Sequence, residues 1–226
     1  MISFPEIPLL YQVSTALGVI ASLFVSKKYK QQLPLKVDSL QLYYAALFLI
    51  SVLGAYSIGL FSYLYFGDFR YKKSLIAGIL IAWTAAEIIK KAFGIKTSTG
   101  DPLAPGMAIG LCFARIGCLF GHCCYGIDYQ GTMALEHQGK TYFPSPILEI
   151  IFHGLFFFLI SYWTKQNLLQ GMRLRIYLIC YGIFRFFSEF MRPHENILFN
   201  LNIFQLLSLI LIVEISTVVL LNRKQS

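Results

Sequence analysis

The sequence predicts an all-α integral membrane protein with seven transmembrane helices in one domain, residues 1–226. Apolar residues make up 57% of the chain and charged residues 13%, whereas a soluble domain is about 45–50% apolar and about 25% charged. Seven stretches approach the roughly 20 apolar residues that a helix needs to cross a bilayer. Their apolarity is continuous and does not alternate as in barrel strands, so helices are expected.

The seven expected spans are bounded by polar or charged flanks. They are Leu9–Val25, Leu40–Phe66, Ser74–Ile89, Pro102–Gly121, Pro146–Trp163, Arg173–Phe190 and Leu201–Leu221. The longest non-apolar connection is His122–Ser145. Because long ordered loops often carry function, we expect this segment to form an outer loop that covers a site.

The basic residues in the loops predict the orientation in the membrane. One side carries Lys27, Lys28, Lys30, Lys36, Lys90, Lys91, Lys96, Lys165, Arg173, Arg175, Arg223 and Lys224, and the other carries Arg70, Lys72, Lys73, Lys140 and Arg192. Cytoplasmic loops are enriched in Lys and Arg, so we expect the N-terminus outside and the C-terminus in the cytoplasm. The net charge of +8 belongs to this bias, and no basic groove indicates nucleic acid as a partner.

Two arginines, Arg115 and Arg185, fall inside expected spans at similar depth. A charged side chain at mid-membrane costs about 2.5–3.5 kcal/mol, and such residues usually line a functional cavity. Glu189 follows Arg185 by one helical turn, Tyr181 precedes it by one, and Glu149 begins a span at similar height. One interpretation is a site for an anionic lipid headgroup, since guanidinium matches phosphate oxygens. The other is structural: Arg185 pairs with Glu189, and Glu149 neutralises Arg115.

A cysteine-rich segment follows Arg115, with Cys118, His122, Cys123 and Cys124 within seven residues. Cys and His are zinc ligands, but structural zinc sites usually use two separated Cys pairs, and the chain has no second pair. We therefore expect no metal and no cofactor. The alternatives are a disulfide between Cys118 and Cys123, or small-residue packing beside a lipid cavity.

Several motifs carry a resemblance to a known family. They are S-T-G-D-P-L-A-P at 98–105, A-R-I-G-C at 114–118, C-Y-G at 124–126 and Y-G-I-F-R-F-F-S-E-F-M-R-P at 181–193, followed by Gln205 and Ser208. From about Lys72 to Ile212 the chain resembles the prolipoprotein diacylglyceryl transferase family in motif order and spacing. The Y-G-x-x-R-F-x-x-E-F-x-R run is the most specific element. The family has seven spans and an outside N-terminus, as the loop charges predict here.

The resemblance implies a transferase of the bacterial cytoplasmic (inner) membrane. Such an enzyme moves the diacylglyceryl group of phosphatidylglycerol to the lipobox cysteine of a secreted preprotein and releases glycerol phosphate. Its partners are these two substrates and the bilayer. The resemblance carries the family's essential residues onto Arg115, Arg185, Asp101, Tyr181 and Glu189. The other residues expected to line the substrate site are Gly117, Gly126, Arg192, Gln205 and Ser208.

The chain departs from the family motifs on the acceptor side. Ile76 replaces the family histidine of the third span, C-L-F-G-H-C at 118–123 replaces N-x-x-N-G-E, and F-P-S-P-I-L-E at 143–149 replaces H-P-[ST]-Q-x-Y-E. Because Ile76 offers no base, we predict that His122 or Glu149 removes the acceptor proton. The competing hypothesis is that Arg115 and Arg185 activate the thiol by charge alone. His122 lies two turns beyond Arg115 on the same face only if the helix continues through Gly121.

Two further functions remain open at this point. One is a divergent paralogue with a phospholipid donor but another acceptor, or one that transfers the phosphoglycerol headgroup. The other is a lipid-binding membrane protein without turnover.

Overall fold

The computed structural model describes residues 2–29, 37–68, 73–95 and 97–223. Within these residues the chain forms seven α-helices, each matching one expected span to within a few residues at both ends. They are α1 (Pro8–Lys28), α2 (Val37–Phe66), α3 (Leu75–Ala92), α4 (Ala104–Phe120), α5 (Ser145–Lys165), α6 (Arg173–Ser188) and α7 (Ile203–Arg223). The helical fold class predicted from apolarity is confirmed.

Four segments are long and apolar enough to cross a membrane, namely Pro8–Lys28, Gln41–Phe66, Ser145–Lys165 and Ile203–Leu221. Helix α4 is also apolar but is shorter than these four. The chain is therefore a mostly helical, multi-pass membrane protein, while the full set of seven spans stays a prediction. The orientation also stays a prediction, and six of the cations behind it lie outside the described residues: Lys30, Lys36, Arg70, Lys72, Lys96 and Lys224.

The chain folds into two compact units. The first unit comprises Met1–Gln31, Ser98–Tyr177 and Phe187–Glu195, and the second comprises Gln32–Thr97, Leu178–Phe186 and Asn196–Ser226. The expectation of a single membrane domain stays a prediction.

In the first unit, α1 and α4 meet along a seam of small residues. A Cβ atom on Gly18 would lie 2.8 Å from the carbonyl oxygen of Gly110, and one on Gly106 would lie 2.5 Å from that of Ser22. Real Cβ atoms do not come this close, so these positions need glycine. Small residues let two backbones approach, and such contacts hold helices together in lipid.

The segment predicted as an outer loop contains two short strands. Strand β2 (Leu135–His137) pairs antiparallel with β3 (Lys140–Tyr142) and parallel with β1 (Ile2–Ser3). Gln138 (φ 51°) and Gly139 (φ 75°) form the two-residue turn, and two positive φ values are typical of a type I′ hairpin. The sequence did not predict this hairpin, because a Gln-Gly turn is a weaker signal than Asn-Gly.

The second unit holds α2, α3, α7 and a second hairpin. Strands β4 (Asn196–Leu198) and β5 (Leu201–Asn202) are antiparallel and lead directly into α7. Ile76 on α3 is buried with 1% of its surface exposed. The residue in the position of the family histidine therefore belongs to the apolar core of this unit.

Candidate functional site

A buried carboxylate near the start of α5 links two arginines in the first unit. Glu149 Oε2 lies 2.6 Å from Arg115 Nε on α4, and Glu149 Oε1 lies 2.5 Å from Arg192 Nη2. The Glu149 side chain is 1% exposed, and the two arginine side chains are 11% and 7% exposed. The expected pairing of Arg115 with Glu149 is present, and Arg192 joins it from the segment after α6.

A second carboxylate extends this network. Glu189 lies in a 3₁₀ turn, Glu189–Met191, rather than in the α-helix that the sequence predicted as far as Phe190. Its Oε1 lies 3.7 Å from Arg192 Nε, and its Oε2 lies 2.8 Å from His194 Nδ1. Two guanidinium groups and two carboxylates thus alternate, and their formal charges cancel. An anion that binds here has to draw on guanidinium N–H groups that these carboxylates do not use.

Glu149 is held differently from a free general base. Each of its oxygens faces a guanidinium group, so protonation of this carboxylate requires an ion pair to break. This geometry suits a residue that positions Arg115 and Arg192. A base role for Glu149 stays a prediction.

His122 does not continue the Arg115 face of α4. The helix ends at Phe120, and His122 has a φ of 45°, in the left-handed region. Its Nδ1 lies 3.3 Å from the Tyr125 hydroxyl, and its ring centroid lies 4.3 Å from that of His137. The condition for placing His122 two helical turns beyond Arg115 is therefore not met, because left-handed backbone ends the helical repeat.

Three cysteines converge just beyond the end of α4. The Sγ atoms of Cys118, Cys123 and Cys124 all lie within 4.8 Å of one another, and all five cysteines of the chain are free thiols. The Cys123 amide donates to the Cys118 carbonyl oxygen at 3.2 Å, and Cys124 has a φ of 66°. The sequence spacing alone gave no reason to expect this cluster, since a left-handed turn creates it.

Hydrogen bonds within the cluster shift the pKa values of its thiols in opposite directions. Bonds from Cys118 and Cys123 lower the pKa of Cys124, and the charges of Arg115 and Arg192 lower it further. Hydrogen bonds with Cys118 and Cys124 raise the pKa of Cys123. Arg115 Nη1 also lies 3.9 Å from Cys118 Sγ. The thiol cluster and the carboxylate–arginine network are thus in contact through Arg115.

Asp101 lies at the other end of α4, away from this network. Its buried carboxylate accepts the Gly171 N–H at 2.5 Å, and about 17 Å of helical rise separates Ala104 from Arg115. Burial raises the pKa of Asp101, although the Gly171 amide and Arg173 oppose the shift. A substrate-binding role for Asp101 stays a prediction.

We expect Asp101→Asn to flatten the dependence of stability on pH. A raised folded-state pKa means that the carboxyl stabilises the fold below its unfolded pKa, about 3.9, and loses that contribution as pH rises through the folded value. Asparagine keeps an oxygen to accept the Gly171 amide but does not ionise. The unfolding midpoint in detergent, measured from pH 4 to pH 8, checks this. An unchanged pH profile, or a loss above about 2 kcal/mol at neutral pH, contradicts it.

The two glycines expected at the substrate site serve close packing. A Cβ atom on Gly117 would lie 3.2 Å from the Tyr11 carbonyl oxygen on α1. One on Gly126 would lie 2.5 Å from the Met191 carbonyl oxygen and 2.6 Å from Phe143 Cβ. The Ile127 amide also donates to the Met191 oxygen, at 3.0 Å. Gly126 therefore lets the segment after the cysteines lie against the turn that precedes Arg192.

We expect Gly126→Ala to lower stability by about 1–3 kcal/mol, because overpacking forces the backbone apart at Met191. The unfolding midpoint of the purified protein measures this loss. Gly154→Ala on α5 is the matched control, since its new Cβ would find its nearest neighbour, Cys112 Sγ, 4.0 Å away. Equal midpoints for the Gly126 variant and wild type would contradict the prediction.

The remaining candidates belong to the second unit. Tyr181 and Arg185 lie on α6 and are buried, with 0% and 6% exposure. Gln205 and Asn202 cap the start of α7 reciprocally. The backbone N–H of each residue donates to the side-chain oxygen of the other at 2.9 Å. Ser208 donates to the Phe204 carbonyl oxygen one turn back, at 2.7 Å. Gln205 and Ser208 thus have local structural bonds, and their substrate contacts stay predictions.

Two histidine contacts, one of them fully buried, were not predicted from the sequence. His194 pairs with Glu189, and His153 Nδ1 lies 2.8 Å from the Tyr177 hydroxyl with both residues fully buried. His153 had a usable signal, because a histidine in an otherwise apolar helix requires a polar partner. His194 had none, because it follows the helix in an irregular segment.

Comparison with known proteins agrees with the motifs. A family described as prolipoprotein diacylglyceryl transferase matches residues 2–221. A relative from Clostridium perfringens, phosphatidylglycerol–prolipoprotein diacylglyceryl transferase 2, is 33% identical over 99 residues, 41% of this chain and 39% of that protein.

Two more relatives are named phosphatidylglycerol–prolipoprotein diacylglyceryl transferase. The one from Ehrlichia ruminantium (strain Welgevonden) is 33% identical over 56% of this chain and 54% of its own length. The one from Chromohalobacter salexigens is 30% identical over 56% of this chain and 48% of its own length. The chain spans about half the length of the curated relatives it matches. The family match covers nearly all of the sequence, and this chain belongs to the prolipoprotein diacylglyceryl transferase family.

Proposed function

We propose that this chain transfers the diacylglyceryl group of phosphatidylglycerol to a lipobox cysteine thiol and releases glycerol phosphate. The observation that carries the proposal is the buried network in which Glu149 holds Arg115 and Arg192. Buried guanidinium groups without a functional reason are costly in a membrane protein. The relatives named above carry this activity in their names.

The chemistry needs what such a network supplies. A thiolate attacks an sp³ carbon, and negative charge develops on the departing phosphate oxygen. Fixed N–H donors in a site without water stabilise that charge without reorganisation. Glu149 contacts both Arg115 and Arg192, and Glu189 also contacts Arg192. The carboxylates therefore fix the planes of the two guanidinium groups at this site.

The roles of individual residues extend this proposal. The family motifs assign donor-phosphate binding to Arg115 and, separately, to Arg185, and Glu189 orients Arg192. The same motifs imply substrate contacts for Asp101, Tyr181, Gly117, Gly126, Gln205 and Ser208. The protein crosses the bacterial inner membrane seven times with its N-terminus outside, so that the segment 122–145 meets secreted preproteins.

A specific observation supports a second candidate, a paralogue with the same donor but a different acceptor. Ile76 is buried in apolar surroundings where the family has histidine, and two cysteines, Cys118 and Cys123, lie within the segment where the family has N-x-x-N-G-E. Both changes fall on acceptor-side motifs. A non-catalytic lipid-binding protein is the third candidate.

One experiment separates the three. Membranes containing the chain receive phosphatidylglycerol labelled in the glycerol backbone of its diacylglyceryl group, together with a lipobox peptide. Labelled peptide supports the proposal, and a matched peptide with serine in place of cysteine serves as the control. Label in another product supports the paralogue. Saturable donor binding with no labelled product supports the third candidate.

Orientation has its own test. A membrane-impermeant thiol reagent applied to intact spheroplasts is expected to label Cys124, which is exposed. Labelling only after lysis would reverse the orientation and move the site to the cytoplasmic leaflet.

A further inference from the structure

The thiol cluster has the composition of a metal centre rather than of a packing contact. Cys118, on the last turn of α4, is buried, Cys123 is half-buried and Cys124 is exposed. Their Sγ atoms lie within 4.8 Å of one another. Zinc–sulfur bonds of about 2.3 Å in tetrahedral geometry put two ligand sulfurs about 3.8 Å apart. The distances between the three sulfur atoms therefore need to shorten by about 1 Å at most to match this geometry.

A guanidinium group lies beside the cluster, because Arg115 Nη1 is 3.9 Å from Cys118 Sγ. Three thiolates and one Zn²⁺ carry a net charge of −1, and the Arg115 guanidinium is the cation in contact with Cys118. Exposed Cys124 gives the ion a path from solvent, and the buried Cys118 anchors the opposite side of the cluster.

We propose that Cys118, Cys123 and Cys124 form a three-thiolate zinc site with one open coordination position, and that an acceptor thiol binds there as thiolate. The second half rests on the proposed function. Zinc sites with three protein ligands and an open position are typically catalytic, and a coordinated thiol loses its proton. Such a site supplies the activation that Ile76 and the ion-paired Glu149 do not.

The transfer step balances without a redox partner. The acceptor thiol releases its proton to solvent when it binds zinc. The sulfur electron pair then forms a C–S bond to the diacylglyceryl carbon, while the C–O bond to the phosphate breaks with its electron pair on oxygen. A thioether and glycerol phosphate result, and zinc stays divalent. The arginines stabilise the new negative charge on the phosphate, whereas the zinc ion activates the acceptor thiol, so the two kinds of group act on different atoms.

The first test is metal content. The full chain, purified in detergent under a phosphine reductant, is incubated with Zn²⁺ and freed of unbound ion. We expect about one zinc per chain, and at least tenfold less in Cys118→Ser, Cys123→Ser and Cys124→Ser, because each removes one of only three ligands. Cys112→Ser, on the same helix as Cys118, is the matched control and retains zinc. No retained zinc, equal loss in the control, or a disulfide within the cluster under these reducing conditions would overturn the site.

The second test addresses the open position. Co²⁺ replaces zinc as a probe, and its sulfur-to-metal absorption is recorded while lipobox peptide is added. We expect the cysteine peptide to change the spectrum and the serine peptide to leave it unchanged. A Co²⁺ spectrum that neither peptide alters would overturn acceptor binding. Metal content does not depend on turnover, so a chain that binds zinc but labels no peptide would refute the proposed function and leave the metal site standing.

Discussion

Replacing Glu149 with glutamine is expected to destabilise the protein by about 3–5 kcal/mol, because the change leaves two buried guanidinium groups without their shared counter-ion. Glutamine has nearly the same shape, so little of the loss comes from packing. Unfolding of the purified variant in detergent, followed by helical circular dichroism, measures it.

Glu6→Gln is the matched control for this change. Glu6 is exposed, and a surface substitution of this kind usually changes stability by less than about 0.5 kcal/mol. Adding Arg115→Met to Glu149→Gln is expected to restore part of the loss, since it removes one of the two positive charges that Glu149 neutralises. A loss below about 1 kcal/mol for Glu149→Gln would mean that the buried ion pairs do not stabilise the first unit.

The second large effect concerns Arg185, and it is an effect on turnover. We expect Arg185→Lys to lose about as much activity as Arg185→Ala, on the order of 100- to 1000-fold, the typical cost of one transition-state donor. A lysine ammonium is a point charge and does not reproduce a bidentate contact to phosphate. Label transfer from phosphatidylglycerol, normalised to the amount of protein in the membrane, measures the loss.

Arg175→Lys provides the comparison on the same helix. Arg175 is partly exposed, and its guanidinium contacts Met172 sulfur at 3.7 Å, so lysine at this position is expected to leave activity within about twofold, a shift of less than 0.5 kcal/mol. Near-normal turnover of Arg185→Lys would indicate that Arg185 serves helix packing. Arg185 would then leave the proposed phosphate site.

The helices of this protein follow from the sequence because their signal is local. Each is a long apolar run between polar flanks, and continuous apolarity without strict alternation favours helices over barrel strands. The pairing of Arg115 with Glu149 was also within reach, since helical rise places both residues at similar depth. Depth alone did not reveal that Arg192 shares the same carboxylate, because Arg192 follows a 3₁₀ turn and not a continued helix.

The positions of the three thiols and of His122 could not be inferred from helical periodicity in this way. Both depend on left-handed backbone at His122 and Cys124, residues for which that conformation is uncommon. No sequence period signals such a turn, so the spacing of the cysteines did not predict that all three thiols come together. The β2–β3 hairpin was not predicted for a related reason: each of its strands has three residues and its turn lacks Asn-Gly.

The glycine seam between α1 and α4 has a consequence for how a lipid reaches Arg115. Gly18 and Gly106 bring the two backbones so close that neither residue has room for a methyl group, and an acyl chain is wider than a methyl group. An acyl chain therefore has no path between α1 and α4 along this seam. If the chain uses a two-tailed donor, as proposed, we expect the lipid to approach Arg115 from another face of α4. The seam would then restrict the direction of lipid entry without contacting the lipid.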